Sequence, residues 1–408
     1  PALDKSLEKG FITVAGSNKD GKMLYNYCGK AKDYCITSMA IHPTVNNFNE
    51  NQNSGGTSSA TAYTSAVAAK IKSRYDWMKN EELRDVLFTT ATDAGEKGVD
   101  AVYGHGILNE EMALNGYGRF DNVKLLNVDG KKSMYYFDNN ISGTGGMIKN
   151  GQSTLVLNGN NTYTGGNTIN QGELIINGQN KSAFNVNGNG KLTVGDDKTI
   201  STGKLVNYGT LNANTSSDLS VNGEFVSKGL VNKAIGSTIK VTGNVDIDNS
   251  KLNITGITKG YVTSAGKQED LITGNKINGK FAQITAENSD LIDNKITLDE
   301  KAVYVVTKRK EVGSVVNTQS NYVGKNTATA NAKALLDDYD AIVNSGKVLN
   351  DKQEAVASAI LLSSNLTETL FGLNGETAKH AIENASINEV NQYNNFIENA
   401  TSKENAMW

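Results

Sequence analysis

The chain has 408 residues, so two or three domains are expected. Hydrophobic residues make up 38% and aromatics 7%, and 41 glycines stand against 2 prolines, which fits repeated turns between short strands rather than a disordered linker. A net charge of −3 with no basic stripe leaves nucleic-acid binding without support, and no apolar run approaches the ~20 residues of a membrane-spanning helix.

The sequence starts at Pro1 with neither an initiator Met nor a signal peptide, so an internal piece of something longer is expected. Residues 1–120 read as a first unit. Phe11 to Ala15 is a short buried strand, ended by Gly16 and a polar turn to Gly21. The segments Tyr25-Asn26-Tyr27-Cys28-Gly29 and Tyr34-Cys35-Ile36-Thr37 follow. Cys28 and Cys35 are the only cysteines. They are either free buried thiols or, in an exported protein, a local disulfide stapling a short loop. With no histidine nearby they cannot form a tetrahedral zinc site, and no other residues suggest a metal or cofactor.

Residues 43–56 are polar and read as loop. Gly55-Gly56-Thr57-Ser58 then runs into small residues, Ala60, Ala62, Ala66, Ala68 and Ala69, in a helix reaching about Tyr75. A hydroxyl at Ser58 would project from the first helical turn, where free N–H groups and a partial positive charge could also bind an oxyanion. The plainer reading is a helix cap. A second helix is expected near Asn80 as its N-cap, with Leu83, Val86 and Leu87 on one face. Tyr103 to Asn109 is a turn-rich closing segment.

Residues 121–310 change character. Met134 to Phe137 reads as a linking strand. Paired apolar anchors then recur: Leu155 and Leu157, Leu174 and Ile176, Leu192 and Val194, Leu211 and Ala213. One coil per ~20 residues predicts a stacked solenoid, since no coil can bury its apolar face alone; a sandwich of hairpins is the rival. Asparagines and glycines at the corners are expected to take left-handed backbone angles. Asp196, Asp197, Asp246 and Asp248 fit no calcium loop and read as solvated turns. Residues 311–408 turn helical. Ala332, Leu335, Leu336, Tyr339, Ile342 and Val343 form a stripe ended by Gly346; a second helix starts at Asn350; a third carries Ser386-Ile387-Asn388-Glu389 as a capping box.

The order of the first unit resembles the C-terminal half of a subtilisin-like serine protease domain. The residues carrying the resemblance are Phe11–Gly16, Tyr25–Gly29, Tyr34–Ile36, Gly56-Thr57-Ser58-Ser59-Ala60-Thr61, Leu87–Ala91 and Tyr103–Asn109. The paired cysteines and Ala113–Gly118 are similar to the autotransporter branch of that family. The resemblance implies that Ser58, in its Gly56-Thr57 setting, is the acyl-forming nucleophile, and that Cys28 and Cys35 are bonded. It departs from the family at Ala62-Tyr63, where Pro-His is usual, at Ala66, where Gly is usual, and at Ser38-Met39, where Pro-Gly is usual. The family's aspartate, histidine and oxyanion asparagine precede Ser in the chain, so they are expected upstream of Pro1. His42, in a polar loop, His105 and His380 lack the family's setting and are expected to be structural. This polypeptide alone is therefore expected to be inactive.

Residues 143–178, with Asn161-Thr162-Tyr163-Thr164-Gly165-Gly166 as core, resemble the passenger-associated repeat of bacterial autotransporters. This implies a multidomain chain: an α/β subtilisin-like half-domain over 1–120, a right-handed parallel β-helix stalk over 121–310, and an α-helical region over 311–408 before an outer-membrane barrel not present in these residues. It implies protein or peptide substrates and a location at the surface of a Gram-negative-type bacterium. The rival reading is a non-enzymatic adhesin or self-association passenger with a decayed protease head.

Overall fold

A computed structural model of the chain describes residues 4–195, 200–257, 261–286, 289–315, 325–361 and 366. Asp196, Asp197, His380 and the third helix expected around 386–397 lie outside them. The chain groups into two compact units: 1–212 with 220–230, and 213–219 with 231–408.

In the first unit, strands β1 (Thr13–Ser17) and β2 (Cys35–Met39) pair in parallel, Thr13 opposite Cys35 and Ser17 opposite Met39. Helix α1 (Thr57–Arg74) packs across both and buries Ala60, Thr64, Val67 and Ile71. The supposed loop at 43–56 is instead an antiparallel hairpin, β3 (Ile41–Val45) with β4 (Asn51–Gly55), Ile41 opposite Gly55 and His42 opposite Ser54. Neither strand buries a face, so no alternating apolar pattern announced it; the turn sets the register instead. There the Asn46 side-chain oxygen accepts the N–H groups of Phe48 and Glu50, both at 2.9 Å, and Asn49 takes a φ of 61°. Helix α2 (Asn80–Thr90) buries Leu83, Val86 and Leu87 as the spacing predicts. Its cap is Lys79, not Asn80: the Glu82 carboxylate accepts the Lys79 N–H. The short helix α3 (Glu110–Leu114) is capped by Asn109, whose side chain accepts the Met112 N–H at 3.0 Å.

From Lys124 onward, the strands of this unit pair in parallel along two ladders. One ladder runs from β5 (Lys124–Asn127) through β7 (Met147–Asn150), the first half of β9 (Asn167–Ile176), the first half of β10 (Phe184–Val194) and Leu205–Asn207 to Phe225–Ser227. A second runs from β6 (Met134–Phe137) through β8 (Thr154–Leu157) and the second halves of β9 and β10 to Thr210–Ala213. The predicted anchors stack directly: Leu155, Leu174, Leu192 and Leu211 stand in register, as do Leu157, Ile176 and Val194, and Tyr135 and Phe137 head the two lines. Met134–Phe137 is thus the first rung of a ladder, not a linker. Hairpins cannot produce such all-parallel pairing.

The corner asparagines work differently from expectation. Among the described residues only Asn49 and Asn249 have positive φ without being glycine. Several others stack side chain on side chain. Asn150 donates to Asn127 at 3.1 Å, Asn170 to Asn150 at 2.9 Å and Asn187 to Asn170 at 2.6 Å. A second line has Asn177 donating to Asn158 at 2.8 Å and Asn158 to Asp138 at 2.5 Å. Several glycines serve close approach: a Cβ on Gly146 would lie 2.1 Å from the Gly166 oxygen, and one on Gly165 would lie 2.4 Å from the Gly145 carbonyl.

An aromatic seam joins the two parts of this unit. Phe137 meets Tyr75 edge-on at 5.5 Å and Tyr117 at 5.7 Å; Tyr117 meets Phe120 at 5.3 Å, and Phe120 meets Tyr163 at 5.0 Å. The Tyr75 hydroxyl donates to the Tyr136 carbonyl at 2.7 Å.

The second unit also begins with parallel pairs, Ile239–Val241 with Lys267–Thr273, Val245–Asp246 with Ile277–Asn278, and Lys251–Ile257 with Gln283–Ala286. It ends in antiparallel ones: Ala302–Arg309 lies between Lys267–Thr273 and Ile292–Leu298. Asp246 and Asp248 sit in a turn in which the Asp246 carboxylate accepts the Asp248 N–H at 3.0 Å. Helices α4 (Val312–Val315), α5 (Lys325–Asn344) and α6 (Asp351–Leu361) follow. The predicted stripe of α5 buries Ala332, Leu336 and Tyr339 against Val262, Leu291 and Ile360. Gly346 ends it at a φ of 80°. Asn350 caps α6 reciprocally with Gln353, at 2.9 and 3.0 Å. Arg309 is buried here, paired with Asp340 at 2.9 Å, and Asp340 also accepts the Ser264 hydroxyl at 2.6 Å. None of the described helices is long and apolar enough to cross a membrane, which says nothing of a β-barrel.

Candidate active site

The site is built on the junction between β4 and α1. Gly56 holds a φ of 118° and a ψ of 167°, a conformation that side chains oppose, although open space surrounds its Cβ position. Its N–H donates to the Ala40 carbonyl at 3.1 Å, which fixes the turn to the end of β2. Gly55 is needed for room: a Cβ there would lie 2.9 Å from the Tyr25 hydroxyl. Gly56 is also the residue that caps α1, and it has no side chain with which to do so.

The cap position therefore does not belong to Ser58, which is the second helical residue, with Thr57 the first. Ala60 is the first residue whose amide reaches back into the turn, to the Gly56 carbonyl at 3.1 Å. The N–H groups of Thr57, Ser58 and Ser59 have no acceptor among the described residues. Ser58 is exposed, and its hydroxyl makes no hydrogen bond among them either. The arrangement presents a free hydroxyl beside unpaired amides and the positive end of a helix dipole, which is the chemistry an acyl-transfer nucleophile with an oxyanion pocket requires.

The histidines have other partners. His42 lies in β3, its ring 4.7 Å from that of Tyr63 and its Nε2 2.7 Å from the Met39 carbonyl. His105 stacks on Phe88 at 4.0 Å, with Nε2 3.1 Å from the Asp33 carbonyl. Burial, more than anything else, lowers its pKa. Neither donates to or accepts from Ser58.

A second cluster, missed by sequence reading, surrounds Tyr63. Its hydroxyl donates to the Glu110 carboxylate at 2.5 Å, and Lys70 pairs with the other Glu110 oxygen, also at 2.5 Å. The bond to Glu110, then burial, pushes the Tyr63 phenol up to about 12. Lys70, then Tyr63, holds Glu110 below the usual carboxylate range. The only sequence signal was the tyrosine standing at the usual histidine position of the resemblance.

Cys28 and Cys35 are joined by a disulfide across the 3-10 turn Gly29–Tyr34. The Gly-His-Gly turn packs onto it. Gly104 has a φ of 64°, and a Cβ there would lie 2.3 Å from the Cys35 carbonyl and 2.8 Å from the Cys28 sulfur. The His105 N–H donates to that carbonyl at 2.9 Å.

A serine-bearing helix on a parallel strand pair is followed by parallel ladders, and each part has its own family match. Residues 8–106 match the subtilase family, and residues 147–176 match the passenger-associated-transport-repeat. Over these stretches the chain is similar to subtilase-type autotransporter passengers. It is 31% identical over 365 residues to the Neisserial autotransporter lipoprotein NalP of Neisseria meningitidis serogroup B, covering 82% of this chain and 32% of that protein. It is 31% identical over 192 residues to serotype-specific antigen 1 of Mannheimia haemolytica, covering 44% of the chain and 20% of that protein. It is 29% identical over 224 residues to an extracellular serine protease of Serratia marcescens, covering 41% of the chain and 21% of that protein. The chain thus spans about a third of the length of the first of these relatives. With such relatives and a passenger repeat of its own, it belongs at the cell surface or outside the cell, by way of the outer membrane.

Proposed function

We propose that the whole protein is a serine endopeptidase in which Ser58 attacks the scissile carbonyl and its own N–H helps to hold the resulting oxyanion. The observation that carries this is the exposed Ser58 hydroxyl beside the uncapped amides of Thr57, Ser58 and Ser59, held by Gly56 at positive φ. A serine hydroxyl needs a base, and among the described residues neither histidine, His42 nor His105, bonds to Ser58, each turning Nε2 to a backbone carbonyl instead. The base, its orienting carboxylate and a side-chain oxyanion donor come from outside residues 1–408, so these residues alone are inert. Two features support a protease domain that continues beyond this segment. The parallel pair β1 and β2 is only two strands wide, and parallel sheets are ordinarily buried on both faces. Tyr27, Val45 and Phe48 are exposed apolar residues of the same segment.

Substrates are proteins or peptides. Residues 1–120 serve as the protease half, 121–310 as a right-handed β-helical stalk, and 311–408 as a helical region leading to the protein's own translocation barrel in the outer membrane. The parallel ladders and the ~20-residue rungs support the stalk. The test is labelling with a fluorophosphonate probe. The full-length protein should be labelled at Ser58, Ser58→Ala should abolish labelling and peptide cleavage, and residues 1–408 alone should not label. Retained cleavage in Ser58→Ala, or rapid labelling of 1–408 alone, refutes the respective part of this reading.

A further inference from the structure

The helix that carries Ser58 is clamped one and a half turns further on, and every part of the clamp converges on Tyr63. Five residues separate Ser58 from Tyr63, about 7.5 Å along the axis. On one side the Tyr63 ring lies 4.7 Å from the His42 ring, at the base of the β3–β4 hairpin. On the other its hydroxyl reaches Glu110 at the start of α3, 47 residues later in the chain. Lys70 closes the cluster from the same helix.

The hairpin needs such a hold. A two-stranded ribbon with no buried face is marginal by itself. Its base is fixed by the Gly56 N–H on the Ala40 carbonyl, by the His42 ring nitrogen on the Met39 carbonyl, and by His42 against Tyr63. β4 ends at Gly55, so any movement of the hairpin base is passed through Gly56 directly to the amides of Thr57 and Ser58.

We propose that Tyr63 is a positioning residue for Ser58: by bridging His42 and Glu110 it locks the hairpin base and α3 onto α1, and so fixes the Gly55–Thr57 turn that aims the Ser58 hydroxyl and amide. The bridge is stable across the neutral range, because the phenol stays neutral and Glu110 stays ionised. Tyr63 stands where the resembled family usually has histidine, and its longer reach is what brings Glu110 into the cluster. This inference rests on Ser58 being the nucleophile.

The experiment compares full-length variants well below each one's melting temperature, reading kcat and KM on a peptide and the fluorophosphonate labelling rate at Ser58. Tyr63→Phe should lower kcat and labelling roughly five- to twentyfold with KM within about twofold, because misaim costs the reacting geometry rather than substrate binding. Glu110→Ala should fall to the same level, and the double variant should be no worse than either alone. Glu110→Gln keeps an acceptor for the phenol and should retain activity within about threefold. Tyr63→Phe equal to the unmodified protein, or additive losses in the double variant, overturns the positioning role while labelling of Ser58 persists. Absence of labelling in the unmodified protein would instead remove the nucleophile reading itself, so the two failures are told apart.

Discussion

Replacing Phe137 with alanine tests whether the Ser58-bearing segment and the first parallel rungs are one cooperative body. Phe137 is fully buried; it ends β6, stands in register with Leu157, and meets the rings of Tyr75 and Tyr117 edge-on. Gly116 is closely packed against the same ring, a Cβ there lying 2.4 Å from it. Truncating a buried phenylalanine removes its transfer energy and leaves a cavity, together about 3–5 kcal/mol. The two edge-to-face contacts place the cost in the upper part of that range. For a unit of this size the midpoint should fall by roughly 6–20 °C. The assay is a thermal melt followed by two probes, with Trp408→Phe in the background so that Trp77 alone reports. Trp77 lies 6.5 Å from Phe137 and 6.2 Å from Tyr135. Its fluorescence reports on the α1–α2 segment, while far-ultraviolet circular dichroism reports on the strands. Both signals should shift together by the same amount. A strand transition that moves while the Trp77 transition stays would refute a shared core, and a shift below about 2 °C would refute the cavity argument.

Four further outcomes follow from the packing. In the asparagine line, Asn150 is bonded on both sides and Asn187 to Asn170, so Asn150→Ala should cost about 2 kcal/mol and roughly twice what Asn187→Ala costs in urea unfolding; equal costs would deny the line any energetic role. Lys149 and Lys233 are buried amines, each pushed down to about 8, chiefly by burial. Between pH 8 and 10 the unfolded chain binds more protons at these sites, so their contribution to stability rises with pH over that window; the double variant Lys149→Met, Lys233→Met should flatten the rise, and an unchanged slope would refute the assignment. Removing the disulfide with Cys28→Ala and Cys35→Ala frees a loop closed at a separation of 7 and should cost about 2.5 kcal/mol, lowering the temperature at which the Trp77 signal is lost. Asp340→Asn, which leaves the buried Arg309 only the longer pairing with Asp337 at 3.4 Å, should cost about 3 kcal/mol by urea unfolding, whereas a change within 0.5 kcal/mol would mean the Asp340 pair is dispensable.

What the sequence disclosed and what it concealed divide along one physical line: burial. The anchors from Leu155 to Leu211 could be read because each pair is apolar and fully inside, and few folds besides stacked coils place a period of two within a period near 20. The partner ladder could not, because its inward positions include Asn167, Lys149, Asn207 and Ser227 among the apolar ones. Those polar residues are tolerated because each is answered inside: Asn167 accepts the Tyr163 hydroxyl at 2.6 Å, Lys149 reaches the Gly151 and Gln171 carbonyls, and Asn207 donates to Ser227 at 3.1 Å. The site divides in the same way. Gly56-Thr57-Ser58 was legible because a local backbone requirement writes itself into adjacent residues, whereas the Tyr63–Glu110 bond joins positions that nothing in the sequence relates.

The stacked amides carry this further. An apolar anchor is satisfied by any apolar neighbour, but an asparagine in the line needs a polar partner at the same height on the next rung. Asn150 therefore selects Asn127 and Asn170 as neighbours and penalises a slip of two residues, which would still leave the apolar anchors facing inward. The polar lines fix which rung lies on which, and the apolar anchors supply the energy of stacking. Gly146 over Gly166 and Gly165 over Gly145 set the same register a third way, because only glycines admit the approach. Three devices thus agree on one register through and around residues 147–176, the stretch that matches the passenger-associated repeat.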